Sequence, residues 1–498
     1  MSKWERWALF AWQTALGLVF LAALTMLLWQ SRNAPLSVDE GYNLEVVDNL
    51  ARNGLYASYG NRRLDANWSL PKFFDLQPSN IFKPWLFDPR ITTGPVVLLP
   101  LALNWALFPG SFLALHAVMV AFFLLGLWAT WHLTPEGSGR LLGFFGASAL
   151  FSTLWFNFRP NAIIGEIPAI SLVLWAMVAL TGERFFLAGL ALGAAIQSKF
   201  ILLLPTLFGL SLVGFRLIRQ GTWQKIAALF AGLTLPTLAF ELYRLASLGS
   251  LVAWWDSWRE FRAFAQEQAR AFATESLNKK WFSLSTQGPG EFSVAALLAA
   301  LGLGHLLQKN LGYKETENDL RVKDALSVGF AIGLSTITLW LCFSNQSSYR
   351  QVLPGTFLVF IPLMLGIHWW RLPYSLSLTP GRLRRLAWTA FHCVCLLLFL
   401  LHVQWILRLA TFRGWREGLK AQVKAAEALK NSGAVAISPL VRWFEPFPFL
   451  SGLRMAPCVG PNQALVATLW AHAVEGKSRD EYKSLCSQTI AENRDVLI

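Results

Sequence analysis

Charged side chains are scarce in this chain of 498 residues. Asp, Glu, Lys and Arg make up 14% of the sequence, whereas apolar residues make up 54% and include 24 Trp and 37 Phe. Soluble domains carry about 25% charged residues, so the composition excludes a soluble protein of several domains. It predicts a polytopic membrane protein instead.

The sequence also lacks the motifs of familiar soluble chemistry. It contains no HExxH, Walker A or GxGxxG pattern, so metalloprotease, nucleotide and dinucleotide chemistry have no motif support. The formal charge of +14 does not indicate a nucleic-acid partner, because the basic residues lie in short clusters between apolar runs. Cytoplasmic loops have this pattern under the positive-inside rule.

Cysteine is rare as well, with five residues in the chain and no spacing typical of structural zinc. Cys342, Cys393 and Cys395 fall in apolar runs, where a thiol behaves as a small hydrophobe. Cys458 and Cys486 stand in the polar carboxyl-terminal region. They are free to form a disulfide if that region faces an oxidising compartment.

The apolar runs predict about eleven transmembrane helices. The first, from Trp7 to Trp29, is long enough to cross a bilayer and exceeds the apolar core of a signal peptide, which is about 7 to 15 residues. Lys3 and Arg6 precede it, so we expect a cytoplasmic amino end. The other predicted spans are residues 112–132, 141–156, 167–181, 186–199, 201–215, 226–245, 291–308, 325–343, 352–370 and 388–410.

With a cytoplasmic amino end, successive spans place the connecting loops alternately outside and inside the cell. The sequence predicts an all-α transmembrane domain over residues 1–410 and a small extracytoplasmic α+β domain over residues 411–498, with a strand near 434–437. A long first outer loop covers residues 31–111. Residues 93–108, at the end of this loop, form either an interfacial or re-entrant helix or a full span, and the interfacial alternative gives the better charge balance. Between residues 246 and 290 the pattern is amphipathic and rich in Trp and Arg, which predicts an interfacial helix. This helix either anchors the protein at the interface or contacts substrate.

Four groups of polar side chains collect on the predicted outer face. The first is the pair of adjacent carboxylates, Asp39 and Glu40, directly after the first span. These acids have a second interpretation as helix caps, since acidic side chains are favoured at helix amino ends. The other groups are Arg159 with Glu166, the lone Lys199, and Tyr349 with Arg350.

Two interpretations of these residues stay open. Ionisable groups at membrane depth are costly and so indicate function, whereas Lys and Arg near helix ends can reach the interface without any function. Taken together, the carboxylates and cations describe a site that binds a phosphorylated substrate and moves a proton. A carboxylate can act as the base, while Arg and Lys hold a phosphate leaving group.

The order of these elements resembles the GT-C superfamily of integral membrane glycosyltransferases. The similarity is greatest to the branch of protein O-mannosyltransferases and lipid A aminoarabinose transferases, glycosyltransferase family 39, and it covers roughly residues 7–370. It rests on Val38-Asp-Glu-Gly-Tyr42, Ile91-Thr-Thr-Gly-Pro-Val-Val-Leu-Leu-Pro100, Gly165-Glu-Ile-Pro168, the glycine-rich helix ending in Ser198-Lys199, and Tyr349-Arg350 before a proline-bearing helix.

The resemblance implies a GT-C-type bundle that transfers a hexosyl or pentosyl group from a polyprenyl-phosphate donor. The acceptor would be a lipid, glycan or protein on the extracytoplasmic face of a bacterial inner membrane. Asp39 matches the first-loop acid of the family, which would be the base or a metal-bound carboxylate. Glu40 beside it and Glu166, which occupies the place of the second-loop acid, are the other catalytic candidates. If a divalent metal binds, Asp39 and Glu166 would hold it. Lys199 and Arg350 would face the donor phosphate, with Lys83, Arg90, Arg159 and Tyr349 as further candidates.

The first loop departs from the family pattern at one point. Relatives often carry His-Pro-Pro or Lys-Pro-Pro before the interfacial helix, whereas this chain has Lys83-Pro-Trp and then Thr93-Gly-Pro95. The phosphate ligand of the first loop is therefore open.

Two functions of other classes compete with the transferase. A lipid-linked sugar transporter or flippase usually shows inverted repeats and binding groups near the membrane midplane, whereas this sequence shows no repeat and collects its charges on one face. A non-catalytic scaffold protein would require the outer acids to be helix caps only.

Overall fold

A computed structural model describes most of the membrane region and short pieces of the remainder. The described residues are 3–32, 36–58, 85–89, 91–134, 138–152, 159–271, 278–280, 298, 302, 317–343, 349–366, 380–411, 419–420, 423–424, 427, 436–437, 454–455 and 496–497.

Helices dominate the described residues. In chain order they are α1 (Lys3–Ser31), α2 (Val38–Asn53), α3 (Pro95–Leu107), α4 (Phe112–Leu133), α5 (Ser138–Ser152), α6 (Glu166–Thr181), α7 (Phe185–Ser198), α8 (Leu203–Arg219), α9 (Trp223–Leu248), α10 (Leu251–Ala271), α11 (Glu317–Phe343), α12 (Tyr349–Gly366) and α13 (Pro380–Thr411). A 3₁₀ turn, Phe200–Leu202, precedes α8.

The chain forms two compact units. The first, here called the helix unit, contains α5 to α8, α11 to α13 and most of α1, α4 and α9. The second, the loop unit, contains α2, α3, α10 and the last turns of α9. The helix unit comprises Met1–Trp29, His116–Ala239 and Glu275–Phe412, and the loop unit comprises Gln30–Leu115, Phe240–Thr274 and Arg413–Ile498.

Six helical stretches in the described part of the chain are long and apolar enough to cross a membrane. Large apolar side chains on them stay exposed, as expected for surfaces that face lipid rather than water; Leu18, for example, is 64% exposed on α1. The six are Lys3–Ser31, Phe112–Leu133, Phe200–Arg219, Trp223–Leu248, Arg321–Cys342 and Arg385–Ala410. The integral membrane class predicted from composition is thus confirmed.

Each predicted span except 291–308 coincides with a helix of the structure. That segment lies almost wholly outside the described residues, so the count of about eleven transmembrane helices stays a prediction. The predicted interfacial segment at 93–108 is α3, which has 13 residues and at about 1.5 Å per residue falls short of the bilayer core of about 30 Å. The amphipathic segment predicted between 246 and 290 contains α10.

Close packing in the helix unit depends on small residues. Any side chain at Gly189 of α7 would collide with the backbone carbonyl of Leu229 on α9. Small residues let membrane helices approach until their backbones touch, which replaces the hydrophobic driving force that lipid does not supply. The glycines of the apolar 186–199 run are thus explained by packing.

The described residues of the loop unit include two small sheets. Strands β1 (Ala57–Ser58) and β2 (Trp85–Leu86) pair antiparallel, with Ala57 opposite Leu86. In the carboxyl-terminal region β3 (Ala436–Ile437) pairs in parallel with β4 (Arg454–Met455) and β5 (Val496–Leu497).

The strand predicted at 434–437 contains β3, and its first two residues lie outside the described part of the chain. Most of the predicted α+β domain lies outside the described residues, and so do Cys458 and Cys486. Their disulfide stays a prediction.

Candidate functional site

A buried ion pair joins two of the residues singled out by the sequence. Lys199 Nζ lies 2.8 Å from Glu166 Oε1, and the two side chains are 10% and 1% exposed. Glu166 is the first residue of α6, and Lys199 follows the last residue of α7. A carboxylate at a helix amino end and an ammonium at a helix carboxyl end both interact favourably with the helix dipoles. The pair therefore closes the open end of the α6–α7 hairpin.

The Gly165-Glu-Ile-Pro168 motif has a structural explanation at this point. Any side chain on Gly165 would collide with the carbonyl oxygen of Ser198, and it would lie within 3.4 Å of the Lys199 side chain. Pro168 sits in the first turn of α6, where its missing N–H removes no intrahelical hydrogen bond. The glycine thus permits the close approach, and the glutamate supplies the charge that meets Lys199.

The segment before α6 is buried although it is not helical. Arg159 is 8% exposed and Asn161 is 1% exposed, and the amide of Ala162 donates to the carbonyl of Arg159 at 3.0 Å. Irregular backbone at membrane depth occurs where it is buried in protein or lines a cavity. Arg159 therefore lies in the buried segment that leads into Glu166, and Glu166 is the partner of Lys199. The formal charges of these three ionisable side chains sum to +1.

The two adjacent acids of the first loop have different environments. The Ser37 amide donates to Glu40 Oε2 at 2.9 Å and the Glu40 amide donates to Ser37 Oγ at 3.4 Å, which forms a capping box at the start of α2. Glu40 is 1% exposed, whereas Asp39 is half-buried. The capping interpretation therefore fits Glu40, and Asp39 is the more accessible carboxylate.

Two motifs of the predicted first loop are in contact in the loop unit. Asn43, one residue beyond Val38-Asp-Glu-Gly-Tyr42, donates from its side-chain amide to Thr93 Oγ1 at 3.0 Å. The Tyr56 hydroxyl donates to the Thr93 carbonyl at 2.8 Å. Pro95 opens α3, where its fixed φ suits the first helical position. The Thr93-Gly-Pro95 sequence is thus a helix start held against α2.

A network around Tyr56 and Arg244 was not predicted from the sequence. The Tyr243 hydroxyl donates to the Gly54 carbonyl at 2.8 Å and accepts from the Tyr56 amide at 3.0 Å. Arg244 is 6% exposed and stacks over the rings of Phe87 at 5.0 Å and Trp258 at 4.6 Å. Burial raises the pKa of the Tyr56 phenol well above its usual range, so it stays a hydrogen-bond donor. The network holds the first-loop backbone in place.

The sequence carried one signal for this network. Arg244 is a lone cation near the end of the apolar 226–245 run, and such cations are candidates for a specific role. Its aromatic partners come from distant segments, so periodicity could not identify them.

The structure does not describe the side chains of four predicted phosphate ligands. Lys83 and Arg90 lie outside the described residues. Tyr349 and Arg350 are the first two residues of α12, but their side chains are outside the described part. The roles of all four stay predictions.

The surroundings of Glu166 do not favour a metal ligand. Its carboxylate already holds the Lys199 ammonium at 2.8 Å, and a divalent cation there would face that positive charge. Within the described residues, no three His, Cys, Asp or Glu side chains form a group that could hold a metal ion.

The fold is similar to that of ArnT, which is a lipid A aminoarabinose transferase and a glycosyltransferase of the GT-C type. ArnT from Cupriavidus metallidurans bound to undecaprenyl phosphate superposes with a TM-score of 0.59 and 11% identity over 95% of this chain and 94% of that chain. Its apo form gives a TM-score of 0.53 and 13% identity over 96% and 95% of the two chains.

An oligosaccharyltransferase from Archaeoglobus fulgidus superposes less well, with a TM-score of 0.48 and 13% identity over 96% of this chain and 68% of that chain. No family model matches the sequence, and no curated protein matches it. The fold assignment rests on the two ArnT structures, and it confirms the GT-C resemblance at the level of fold.

Proposed function

We propose that this protein is a membrane glycosyltransferase that takes a sugar from a polyprenyl phosphate and gives it to an acceptor on the extracytoplasmic face of a bacterial inner membrane. The observation that carries the proposal is the buried Glu166–Lys199 pair, with Arg159 in the same segment. This ion pair occurs in a chain whose fold is similar to that of ArnT, which was crystallised with undecaprenyl phosphate.

The first step of the proposed mechanism is recognition of the donor phosphate. Lys199 and Arg159 present cationic N–H donors, which make strong hydrogen bonds to phosphate oxygens. Glu166 holds the Lys199 ammonium at 2.8 Å before the donor arrives, and so acts as a positioning residue. Pre-arranged donors cost little reorganisation when charge develops on the leaving phosphate. Lys83, Arg90, Tyr349 and Arg350 are proposed to complete this set.

The second step is displacement at the sugar. An acceptor hydroxyl or amine attacks the anomeric carbon, the bond from that carbon to the phosphate oxygen breaks, and polyprenyl phosphate leaves. The proton of the acceptor passes to the carboxylate of Asp39, which acts as general base. Asp39 suits this role better than Glu40, because the Glu40 carboxylate is occupied in the capping box of α2.

A turnover assay tests the proposal. Purified protein is incubated with labelled polyprenyl-phosphate sugars and candidate acceptors, and the released polyprenyl phosphate is measured together with the transferred sugar. We expect release that depends on acceptor. A flippase would move the lipid-linked sugar across a bilayer and leave it uncleaved, and that result would overturn the proposal.

The variant Asp39→Asn tests in the same assay whether Asp39 is the general base. We expect turnover to fall at least about 100-fold, since a positioned general base contributes about 10²- to 10⁴-fold, with unchanged unfolding temperature. Asp256→Asn is the matched control, because Asp256 is 44% exposed on α10 and pairs with Arg259 at the surface. Activity of Asp39→Asn within a few-fold of wild type would remove Asp39 from the mechanism.

A further inference from the structure

A second polar cluster lies at the other end of the α6–α7 hairpin. The turn from Gly182 to Arg184 joins the two helices, and α6 has 16 residues, so this end lies about 24 Å from the Glu166–Lys199 pair at about 1.5 Å per residue. Contacts within the helix unit bring the carboxyl end of α8 and the amino ends of α9 and α11 to the same place.

Glu183 is the centre of this cluster. Its carboxylate lies 2.8 Å from Lys225 Nζ at the start of α9 and 3.3 Å from Arg321 on α11. Glu183 has a positive φ of 54°, which is uncommon for a residue with a side chain and persists where surrounding contacts hold it. Arg216 of α8 pairs with Asp324 of α11. Ion pairs thus connect the hairpin turn, α8, α9 and α11.

These helix ends enclose a cavity of about 210 Å³. Its lining includes the charged residues just described, with Gln220 and Ser327. It also includes the apolar residues Leu180, Phe185, Leu212, Val213, Leu217 and Val328. Leu212 is 48% exposed on α8, so the apolar part of the lining reaches the surface of that helix.

The charge of the cavity favours an anion. Arg216, Lys225 and Arg321 supply three positive charges, whereas Glu183 and Asp324 supply two negative charges. The side chains of the three cations are 53%, 38% and 37% exposed, so a ligand can reach them.

The amphipathic lining decides between two kinds of anion. A free phosphate ion would contact the charged residues and leave the apolar residues of the lining without a partner. The headgroup of an anionic phospholipid contacts the charged residues, and its acyl chains cover the apolar residues and the exposed side chain of Leu212. Basic pockets between transmembrane helices bind such headgroups in other membrane proteins.

We propose that this cavity binds an anionic phospholipid, and that the lipid holds the turn of the α6–α7 hairpin against α8, α9 and α11. The site is separate from the donor site, and the proposal does not depend on the proposed transfer reaction.

Lipid titration of the full-length protein in neutral detergent tests the proposal. Phosphatidylglycerol and phosphatidylcholine with identical acyl chains are added separately, and bound lipid is counted by native mass spectrometry while the unfolding temperature is recorded. We expect saturable binding of phosphatidylglycerol with a higher unfolding temperature. Equal binding of phosphatidylcholine would overturn the proposal, and so would equal stabilisation by inorganic phosphate.

Two variants that should change lipid affinity in opposite directions distinguish lipid binding from a structural role of the charged residues. Arg216→Gln should weaken phosphatidylglycerol binding about fivefold, the contribution typical of one cation near an anionic lipid. Glu183→Gln removes a competing carboxylate and should strengthen binding. Arg219→Gln is the matched control, since Arg219 is exposed on the same helix end but does not line the cavity.

If Arg216→Gln does not fold, the increase in affinity expected for Glu183→Gln decides the proposal alone. Weaker binding by Glu183→Gln would contradict it, and so would an equal loss in Arg216→Gln and Arg219→Gln.

Discussion

The α6–α7 hairpin takes part in a lysine–glutamate ion pair at each of its ends, and the two pairs have the same length. Glu166 and Lys199 meet at 2.8 Å with side chains 1% and 10% exposed. Glu183 and Lys225 also meet at 2.8 Å, but with side chains 41% and 38% exposed. The N–O distance alone therefore does not show which ion pair contributes more to stability.

Burial makes the two pairs physically different. A charge left alone in a buried site has lost its water, so removing one partner of a buried pair costs about 3 to 5 kcal/mol. Exposed pairs are screened by solvent and contribute little. The Glu166 end is therefore suited to hold a cation in one position, whereas the Glu183 end can exchange its partners with a ligand.

Lys199→Met tests the buried end and should give the largest loss of stability. The substitution leaves the Glu166 carboxylate buried without its ammonium, and we expect the free energy of unfolding to fall by about 3 to 5 kcal/mol. We also expect the variant to lose turnover of the donor. Chemical denaturation of the purified protein measures the first effect. A change below about 1 kcal/mol would place this pair in the same class as surface pairs.

The double variant Glu166→Gln with Lys199→Met separates stability from function. Removing both charges leaves no unpaired buried ion, so most of the lost stability should return. Activity should not return, because the phosphate contact of Lys199 is still absent. Parallel denaturation and turnover measurements check this outcome. Recovery of activity in the double variant would show that Lys199 has only a structural role.

The adjacent acids of α2 extend the comparison to the loop unit. Glu40→Gln weakens the capping box, and we expect a loss of about 1 kcal/mol in the free energy of unfolding, as for other cap substitutions. Asp39→Asn should change stability less and activity more, since Asp39 is half-buried. Thermal unfolding beside turnover distinguishes the two variants. Equal losses of activity would assign both acids to the reaction.

Substitution at the exposed Glu183–Lys225 pair should change the free energy of unfolding least. The hydrogen bond from Lys225, followed by the charge of Arg321, lowers the pKa of the Glu183 carboxyl. A lowered pKa contributes stability above the unfolded-state value of about 4.3, and this contribution is lost as pH falls through the folded-state value. Lys225→Gln should therefore leave stability at pH 7 nearly unchanged and flatten its dependence between pH 5 and pH 3. Unfolding curves across this range measure it.

The sequence predicted the parts of the molecule that depend on local pattern. The predicted apolar runs became helices wherever they fall within the described residues, and six of the helical stretches are long enough to cross a bilayer. Charge alternation predicted that Lys199 and Arg216 lie on opposite sides of the membrane. In the structure Lys199 pairs with Glu166 at one end of the hairpin, and Arg216 lines the same cavity as Glu183 of the hairpin turn. The membrane sides themselves stay a prediction.

Contacts between distant segments could not be read from pattern. Glu166 and Lys199 were predicted on one face, but their 2.8 Å contact depends on Gly165, which allows close approach without any periodic signal. Arg244 meets Phe87 and Trp258, which come from other parts of the chain. The different roles of Asp39 and Glu40 follow from the side-chain geometry of the capping box, which adjacent acids alone do not reveal.

Binding of polyprenyl phosphate to charge variants of the two hairpin ends tests the central claim most directly. We expect Lys199→Gln to weaken this binding at least tenfold, the loss typical of a charge-assisted phosphate contact worth about 1.5 to 3 kcal/mol. Lys225→Gln, which removes the same charge from a pair of the same length, should bind polyprenyl phosphate as wild type does. Equal affinity in the two variants, or a loss confined to Lys225→Gln, would contradict the assignment of the donor site to the Glu166–Lys199 end.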